Sequence, residues 1–338
     1  MIQLDLFGGP AREEAPLDER RDPEADPVGA LEPSDPCQID LFDARAAQLR
    51  ASRAAVARED LAGARMLLAK LLARGADPEA RRAMAGIAAV EARISAARGL
   101  PAPARALALL AYAGELEDAA GLRDALRAVL LRQAARAVQA EHGDDALLAG
   151  WPVGVYHARA GDRAAARASL TAALARSRRA RTLYALGDLA MQDGDLLAAR
   201  ACYCEALARD PFDAEAVSAI GDREVLELPD IARYELEIEP CPEAWSAPLG
   251  MITGVFRIPR AFELADADAD ADAPRSREQR EALAAAQRFT AALVAAELAA
   301  GPPDVLVARR EMKRTQPTLF AAYLAQRAGR DGLQDARR

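Results

Sequence analysis

The chain has 338 residues, of which 51% are hydrophobic but only 4% aromatic, and its net charge is −8. The apolar content is mostly Ala and Leu, which favour helices, so the composition predicts an all-α protein of one large or two modest domains. The four cysteines have no disulfide-framework spacing and no apolar run is long enough to span a bilayer, which excludes the disulfide-rich and membrane-spanning classes.

Residues 1–45 form the first predicted segment, with twelve acidic and four basic residues and many prolines. Such a composition cannot offset the entropy lost on ordering, so we predict a disordered acidic arm. Residues 46–338 contain forty residues of each sign, so the arm accounts for the whole net charge. Because phosphate repels an acidic arm, we expect no direct nucleic-acid binding by it.

Two copies of one pentapeptide lie in this arm: Gln3-Leu4-Asp5-Leu6-Phe7 and Gln38-Ile39-Asp40-Leu41-Phe42. Each copy offers an amide, an aliphatic side chain, an acid and a Leu-Phe pair suited to an apolar pocket. Both are similar to the peptide by which bacterial polymerases, mismatch-repair proteins and initiation regulators dock on the DNA polymerase sliding clamp. The resemblance implies that the glutamine enters a small polar subsite and that the Leu-Phe pair fills a hydrophobic cleft.

This resemblance implies an adaptor in bacterial replication or repair, with the sliding clamp as one partner. The alternative is a general helical scaffold in an unrelated assembly, in which the two Leu-Phe pairs latch onto the protein's own body. No signal peptide and no membrane segment is recognisable, so we expect a cytoplasmic protein without a membrane partner.

Residues 46–222 form a predicted array of helical hairpins. Residues 161–176 match residues 194–209 at 10 of 16 positions with an offset of 33, and residues 59–74 match the latter window at 7 of 16. A period near 34 with small residues at fixed places is typical of stacked helical hairpins. Such units stack into a curved solenoid with a concave binding surface, where we expect an unidentified client protein to bind.

The best unit resembles the tetratricopeptide repeat family at Leu183, Leu186, Gly187, Ala199, Tyr203, Ala206 and Pro211. The preceding unit keeps Gly154, Ala166, Leu170 and Ala173. We expect Gly187 and Ala199 to face each other where two helices cross, Tyr203 to fill space towards the next unit and Pro211 to end the second helix.

Three further segments complete the predicted organisation. Residues 223–262 are predicted as an extended or β-containing cap, because residues 234–239 alternate apolar and acidic side chains and residues 251–258 are rich in β-forming types. Residues 263–276 contain alternating Ala and Asp and are predicted as an acidic linker. Residues 277–328 are predicted as C-terminal helices, one of which begins near Pro317.

The peptide Gln316-Pro317-Thr318-Leu319-Phe320 echoes the two arm peptides. Its proline is well placed to open a helix in which Leu319, Phe320, Tyr323 and Leu324 form an apolar stripe. Packing therefore explains the pentapeptide, and a third docking peptide is the alternative.

The sequence contains no recognisable set of catalytic, phosphate-binding or metal-binding residues. It has no Gly-x-x-x-x-Gly-Lys-Ser/Thr phosphate loop, and its two histidines, His142 and His157, have no evident nucleophile beside them. Cys202 and Cys204 are one residue apart on a predicted helix and point to different faces, so a metal pair is disfavoured. We therefore predict no catalytic residue, no metal site and no cofactor.

Overall fold

The computed structural model describes residues 36–260 and 275–335, with side chains between residues 44 and 260 and between 275 and 329. Regular structure in these ranges is almost entirely helical, which confirms the predicted all-α class. The chain divides into two compact units, with the boundary between Ala137 and Val138.

The first unit begins with two antiparallel helical pairs. Its helices are α1 (Pro36–Ala57), α2 (Leu61–Arg74), α3 (Pro78–Ala97), α4 (Ala102–Glu115) and α5 (Arg123–His142), the last of which crosses the unit boundary. Helix α1 packs on α2, α2 on α3 and α3 on α4. Helix α1 starts at Pro36, earlier than the predicted start of the helical body at residue 46.

The second unit contains a small β-hairpin, whose two strands have two residues each, followed by two helical hairpins. Its first elements are β1 (Leu147–Leu148), β2 (Trp151–Pro152), α6 (Val153–Arg159), α7 (Arg163–Arg176), α8 (Ala180–Gln192) and α9 (Leu196–Arg209). Helix α6 pairs with α7 and α8 with α9, and α7 also packs on α8. Each of the two matching sequence windows therefore covers the turn and second helix of a hairpin, and the two hairpins are consecutive, as predicted.

Short helices follow the second hairpin. The strands predicted at residues 234–239 and 251–258 are wrong, because the structure has no strand in the described residues 223–260. The elements here are α10 (Ala214–Val217), α11 (Arg223–Leu226), α12 (Leu228–Asp230), a π-helical turn (Ile231–Glu235), a 3₁₀ turn (Pro242–Trp245) and α13 (Ser246–Thr253). The alternating residues 234–239 comprise the last two residues of the π-helical turn and the irregular segment after it, in which Tyr234 is 73% exposed and Ile238 is buried. Met251 and Ile252 lie in α13, which is buried on all sides. Short apolar runs of this kind fit a buried helix as well as a strand.

The C-terminal helices are α14 (Arg277–Leu298), α15 (Pro302–Thr315) and α16 (Pro317–Asp335). The predicted helix from Arg277 and the predicted start at Pro317 are thereby confirmed, whereas the sequence did not predict α15. Ser276 caps α14 reciprocally with Gln279. The linker prediction falls mostly on residues 261–274, which lie outside the described ranges.

A buried ion pair and a hydrogen bond join α14 to the hairpin α8–α9. Arg275 NH2 lies 2.8 Å from Asp210 Oδ2, and the two side chains are 10% and 9% exposed. Gln287 Nε2 donates to the carbonyl of Ala208 at 3.0 Å. Helices α13 and α14 both pack on α9, so the C-terminal helices cover the last hairpin.

One turn geometry recurs between the helices of three hairpins. A residue with positive φ comes first, followed by an Asp that caps the next helix: Glu59-Asp60, Gly161-Asp162 and Gly194-Asp195. Each Asp side chain accepts the backbone N–H three residues ahead, and each Asp N–H reaches back to a carbonyl of the preceding helix at 2.9 Å. The shared hydrogen bonds end one helix and start the next, and so explain why the sequence windows align here.

Glu59 is the exception in this set because it is not glycine. Its φ of 64° is costly for a residue with a side chain. The Glu59 carboxylate accepts hydrogen bonds from Arg132 at 2.5 Å, Arg136 at 2.8 Å and Gln133 at 2.9 Å, all on α5. The first turn is therefore also an attachment point for α5.

Candidate functional site

The two predicted docking peptides fall largely beyond what the structure describes. Gln3, Leu4, Asp5, Leu6 and Phe7 lie outside the described residues. Gln38, Ile39, Asp40, Leu41 and Phe42 lie near the start of α1, where the backbone is helical and the description does not extend to side chains. Their predicted role in clamp docking stays a prediction.

The predicted repeat-packing residues are all buried in the second unit. They are Gly154, Ala166, Gly187, Ala199, Tyr203, Ala206 and Pro211. A Cβ atom at Gly187 would come within 2.4 Å of the Tyr203 ring, and one at Gly154 within 2.6 Å of Leu170 Cγ. Glycine at these two positions therefore lets a large side chain of the second helix lie directly on the backbone of the first.

The β-hairpin places Trp151 against the start of the two hairpins. Ala149 and Gly150 have φ of 50° and 80°, the pair of positive values that a two-residue type I′ turn requires. The turn reverses the chain so that Trp151 pairs with Leu148, immediately before α6. Trp151 is only 4% exposed, and its indole N–H donates to Glu215 Oε1 at 3.1 Å.

Two arginines from successive hairpins lie over this indole ring. The guanidinium carbon of Arg181, near the start of α8, is 4.7 Å from the ring centroid, and that of Arg159, at the end of α6, is 5.6 Å away. These distances are within the range of cation–π attraction. We call Trp151, Arg159, Arg181 and Glu215 the Trp151 cluster.

Arg181 is held in place by several partners. Its guanidinium forms a bidentate pair with Asp213 and donates to the carbonyl of Gly150 at 2.7 Å. Glu215 lies 3.6 Å away. Because a planar guanidinium bound on several edges has little freedom, Arg181 presents a fixed charge at the surface.

Asp188 lies on α8 within the electrostatic influence of this cluster. Burial raises the pKa of Asp188 to about 6, an effect only partly opposed by the Tyr203 hydroxyl, which donates to Asp188 Oδ1 at 2.7 Å, and by the charge of Arg159. Burial and the neighbouring Asp188 raise the pKa of Tyr203. This carboxyl is therefore poised to change charge near neutral pH.

The groups that sequence reasoning weighed for chemistry lie in packed surroundings. His157 is 3% exposed and its Nε2 lies 3.2 Å from Gln139 Oε1. Burial raises the pKa of Cys204 to about 12, so its thiol is a poor nucleophile. Within the described ranges, no three His, Cys, Asp or Glu side chains converge as a metal site. In the Trp151 cluster the buried indole is covered by Arg159 and Arg181, so the cluster fixes the start of α6 against the start of α8.

Sequence reasoning missed the Trp151 cluster. Trp151 is one of only two tryptophans, and it follows an Ala-Gly pair flanked by apolar residues, a pattern compatible with a tight hairpin. That signal could have indicated Trp151. The convergence of Arg159 and Arg181 on the Trp151 ring depends on hairpin stacking and has no local signal.

The peptide at residues 316–320 is used in packing, as predicted. Leu319 and Tyr323 are buried, and the rings of Phe320 and Tyr323 stack at 6.2 Å. Leu324, predicted in the same stripe, is 40% exposed.

Comparison of the chain with protein-family models, curated proteins and solved structures finds no match. Among the helices described, none is long and apolar enough to cross a membrane.

Proposed function

We propose that this protein is a non-enzymatic bacterial adaptor that docks on the DNA polymerase sliding clamp and holds a client protein on its helical hairpins. One observation carries the proposal: two copies of a Gln-aliphatic-Asp-Leu-Phe peptide lie within the first 42 residues, at Gln3–Phe7 and Gln38–Phe42. A single short match in a chain of this length has a real false-positive risk, whereas two copies in one acidic segment are much harder to obtain by chance.

The two peptides would act together. Residues 8–37 separate them, and a flexible chain of about thirty residues has an end-to-end distance of about 30 Å. A sliding clamp is a symmetric ring with repeated clefts, so two weak peptides on one chain gain avidity when the linker reaches from one cleft to another. Occupation of both clefts would also exclude other proteins that use the clamp.

The hairpins supply the second half of the proposal. The unit formed by α8 and α9 resembles a tetratricopeptide repeat at Gly187, Ala199 and Tyr203, and repeats of this type serve as protein-binding scaffolds. The Trp151 cluster gives this part of the body a rigid framework, because Arg181 is fixed by Asp213 and by the carbonyl of Gly150. We assign the client to the face formed by α6 and α8.

The deciding experiment is a titration of the cognate sliding clamp with the full chain. Matched variants replace Leu6 and Phe7, Leu41 and Phe42, or all four residues with Ala. We expect the wild type to bind with submicromolar affinity, each single-peptide variant to bind more weakly by about tenfold or more, and the fourfold variant not to bind.

Unchanged affinity of the fourfold variant would refute clamp docking by these peptides. Absence of binding by the wild type would also refute it. Protease resistance of residues 1–45 in the isolated protein, combined with no clamp binding, would instead favour an intramolecular latch.

A further inference from the structure

A groove of about 780 Å³ lies between α14 and α15, on the side of α14 that faces away from the core. Its floor consists of four alanines, two of them exposed and two buried: Ala291, Ala292, Ala295 and Ala308. The opposite face of α14 is buried through Phe289 and Leu293. Because methyl groups form the floor, a partner's backbone can approach both helices closely.

The groove is a regular feature of both helices. On α14, residues 288, 291, 292 and 295 follow the i, i+3, i+4, i+7 spacing of one helix face. On α15, one helix face likewise lines the groove, through residues 304, 307, 308, 311 and 314. A three-residue connection makes the two helices antiparallel neighbours, so the two faces form a straight channel about 10–15 Å long.

The charge along this channel is uneven. Arg288, Arg310 and Arg314 line one end, where Glu311 accepts hydrogen bonds from Arg314 at 2.7 and 2.8 Å. The Arg310 side chain makes no hydrogen bond or ion pair with any residue that the structure describes. Asp304 lines the other end. The arginine end therefore carries a net positive charge that is not neutralised within the groove.

Aliphatic side chains are exposed beside the same channel. Val307 lines it and is 66% exposed, and the neighbouring Leu306 is 53% exposed. Isolated exposed aliphatics are ordinary on protein surfaces. Here, however, they adjoin an alanine floor and an arginine rim, a combination that would bind a partner with both apolar and acidic side chains.

We propose that the groove between α14 and α15 binds a short acidic amphipathic helix of a partner protein. Charge complementarity selects an acidic partner, because the arginines of the rim outnumber its acids. The backbone groups within α14 and α15 are hydrogen-bonded internally, so an extended peptide would find no sheet edge to pair with. A helix of two to three turns matches the length of the channel, with its apolar residues on the alanines and its acids beside Arg288, Arg310 and Arg314.

The test uses the full-length protein and a fluorescein-labelled, lactam-stabilised helical peptide of about 16 residues. The peptide carries Leu at i, i+3, i+4 and i+7 and Glu on both flanks of that stripe, and a second peptide has Lys in place of every Glu. Fluorescence anisotropy should show saturable binding of the acidic peptide and at least tenfold weaker binding of the basic one.

Two kinds of variant locate the binding site. The double variant Arg310→Glu/Arg314→Glu reverses the charge of two rim residues, and Ala291→Trp fills the groove from an exposed position. Each variant should weaken binding of the acidic peptide by about tenfold or more. Lys313→Glu makes the same type of charge change on α15 outside the groove lining and should leave the affinity within about twofold. Circular dichroism checks that each variant keeps its helical content.

Three outcomes would overturn the proposal: no saturable binding of the acidic peptide, equal binding of both peptides, or equal loss in Lys313→Glu and the rim variant. Saturable binding of a labelled single-stranded oligonucleotide at the rim arginines, without binding of the acidic peptide, would assign the surface to nucleic acid instead. The experiment contains no sliding clamp, so its result is independent of the arm peptides.

Discussion

The ring of Tyr203 lies directly over Gly187, so close that a Cβ atom at residue 187 would be 2.4 Å from ring atom Cε1. We expect Gly187→Ala to destabilise the protein by about 1–3 kcal/mol, because overpacking outweighs the helix propensity that Ala gains over Gly. Urea unfolding measures the change. Gly114→Ala is the matched control, since a Cβ at this exposed position of α4 meets nothing within 4 Å. It should stabilise the protein by about 0.5–1 kcal/mol, and a loss equal to that of Gly187→Ala would contradict the packing argument.

Asp188 should give the stability a distinctive pH dependence. Its pKa in the folded protein is about 6, raised by burial from an ordinary 3.8. The folded state therefore holds the proton more tightly than the unfolded state, so this group's stabilising contribution is present below pH 4 and is lost as the pH rises to about 6. Asp188→Asn should remove that loss and have a higher free energy of unfolding than the wild type at pH 7, by up to about 3 kcal/mol.

Urea unfolding from pH 4 to pH 8 measures this effect as the difference in the free energy of unfolding between Asp188→Asn and the wild type. The difference is the informative quantity because carboxylates with lowered pKa, such as Asp77 and Glu205, give the opposite slope in both proteins. Tyr203→Phe removes the hydroxyl that donates to Asp188 and should move the transition to higher pH. A difference that stays constant with pH would show that Asp188 does not titrate as proposed.

The capping aspartates of the two repeat turns should be energetically equivalent. Asp162 and Asp195 have nearly identical backbone angles and accept N–H groups at 3.1 and 3.0 Å. Asp162→Ala and Asp195→Ala should each cost about 1 kcal/mol, whereas Asn in either place should keep most of the stability. Thermal unfolding of the four variants measures these costs, and equal effects of Ala and Asn would rule out a capping role.

The ion pair between Asp210 and Arg275, just before α14, should matter more than an exposed pair within the first turns of α14. Asp210→Ala leaves a buried guanidinium without its carboxylate and should cost about 3–5 kcal/mol. Arg277→Ala breaks a pair with Glu281 in which Arg277 is 85% exposed, and should cost less than about 0.5 kcal/mol. Hydrogen exchange should show the loss of protection concentrated in α14, and similar costs for the two variants would contradict the burial argument.

The hairpins were predictable because their turns are built by local chemistry. Gly161-Asp162 and Gly194-Asp195 combine a positive-φ residue with an N-cap, and both features can be read from neighbouring residues. The first turn was harder to recognise because Glu59 replaces the glycine. Its conformation is supported by Arg132, Gln133 and Arg136, more than seventy residues away, which local sequence cannot indicate.

The predicted strands failed for a related reason. The alternation from Tyr234 to Glu239 resembles a half-buried strand, but a strand needs a partner. The first residues of the β-rich run, Met251 to Thr253, lie in helix α13 instead. Long-range packing decided between two structures that local sequence could not separate. The Trp151 cluster was missed for the same reason, because Arg159 and Arg181 reach the Trp151 ring only after the hairpins stack.

Glu59 also bears on how a chain of near-copies finds its correct pairing. Helices that resemble one another this closely can exchange partners during folding, which leads to swapped or misregistered assemblies. Gly161 and Gly194 have no side chain that could contact another element. Glu59, in contrast, accepts hydrogen bonds from three side chains of α5. Among the three hairpin turns compared, only the first has a non-glycine residue at positive φ, and its carboxylate distinguishes the first hairpin from the other two. Loss of this carboxylate should therefore reduce the fidelity of assembly more than the helical content.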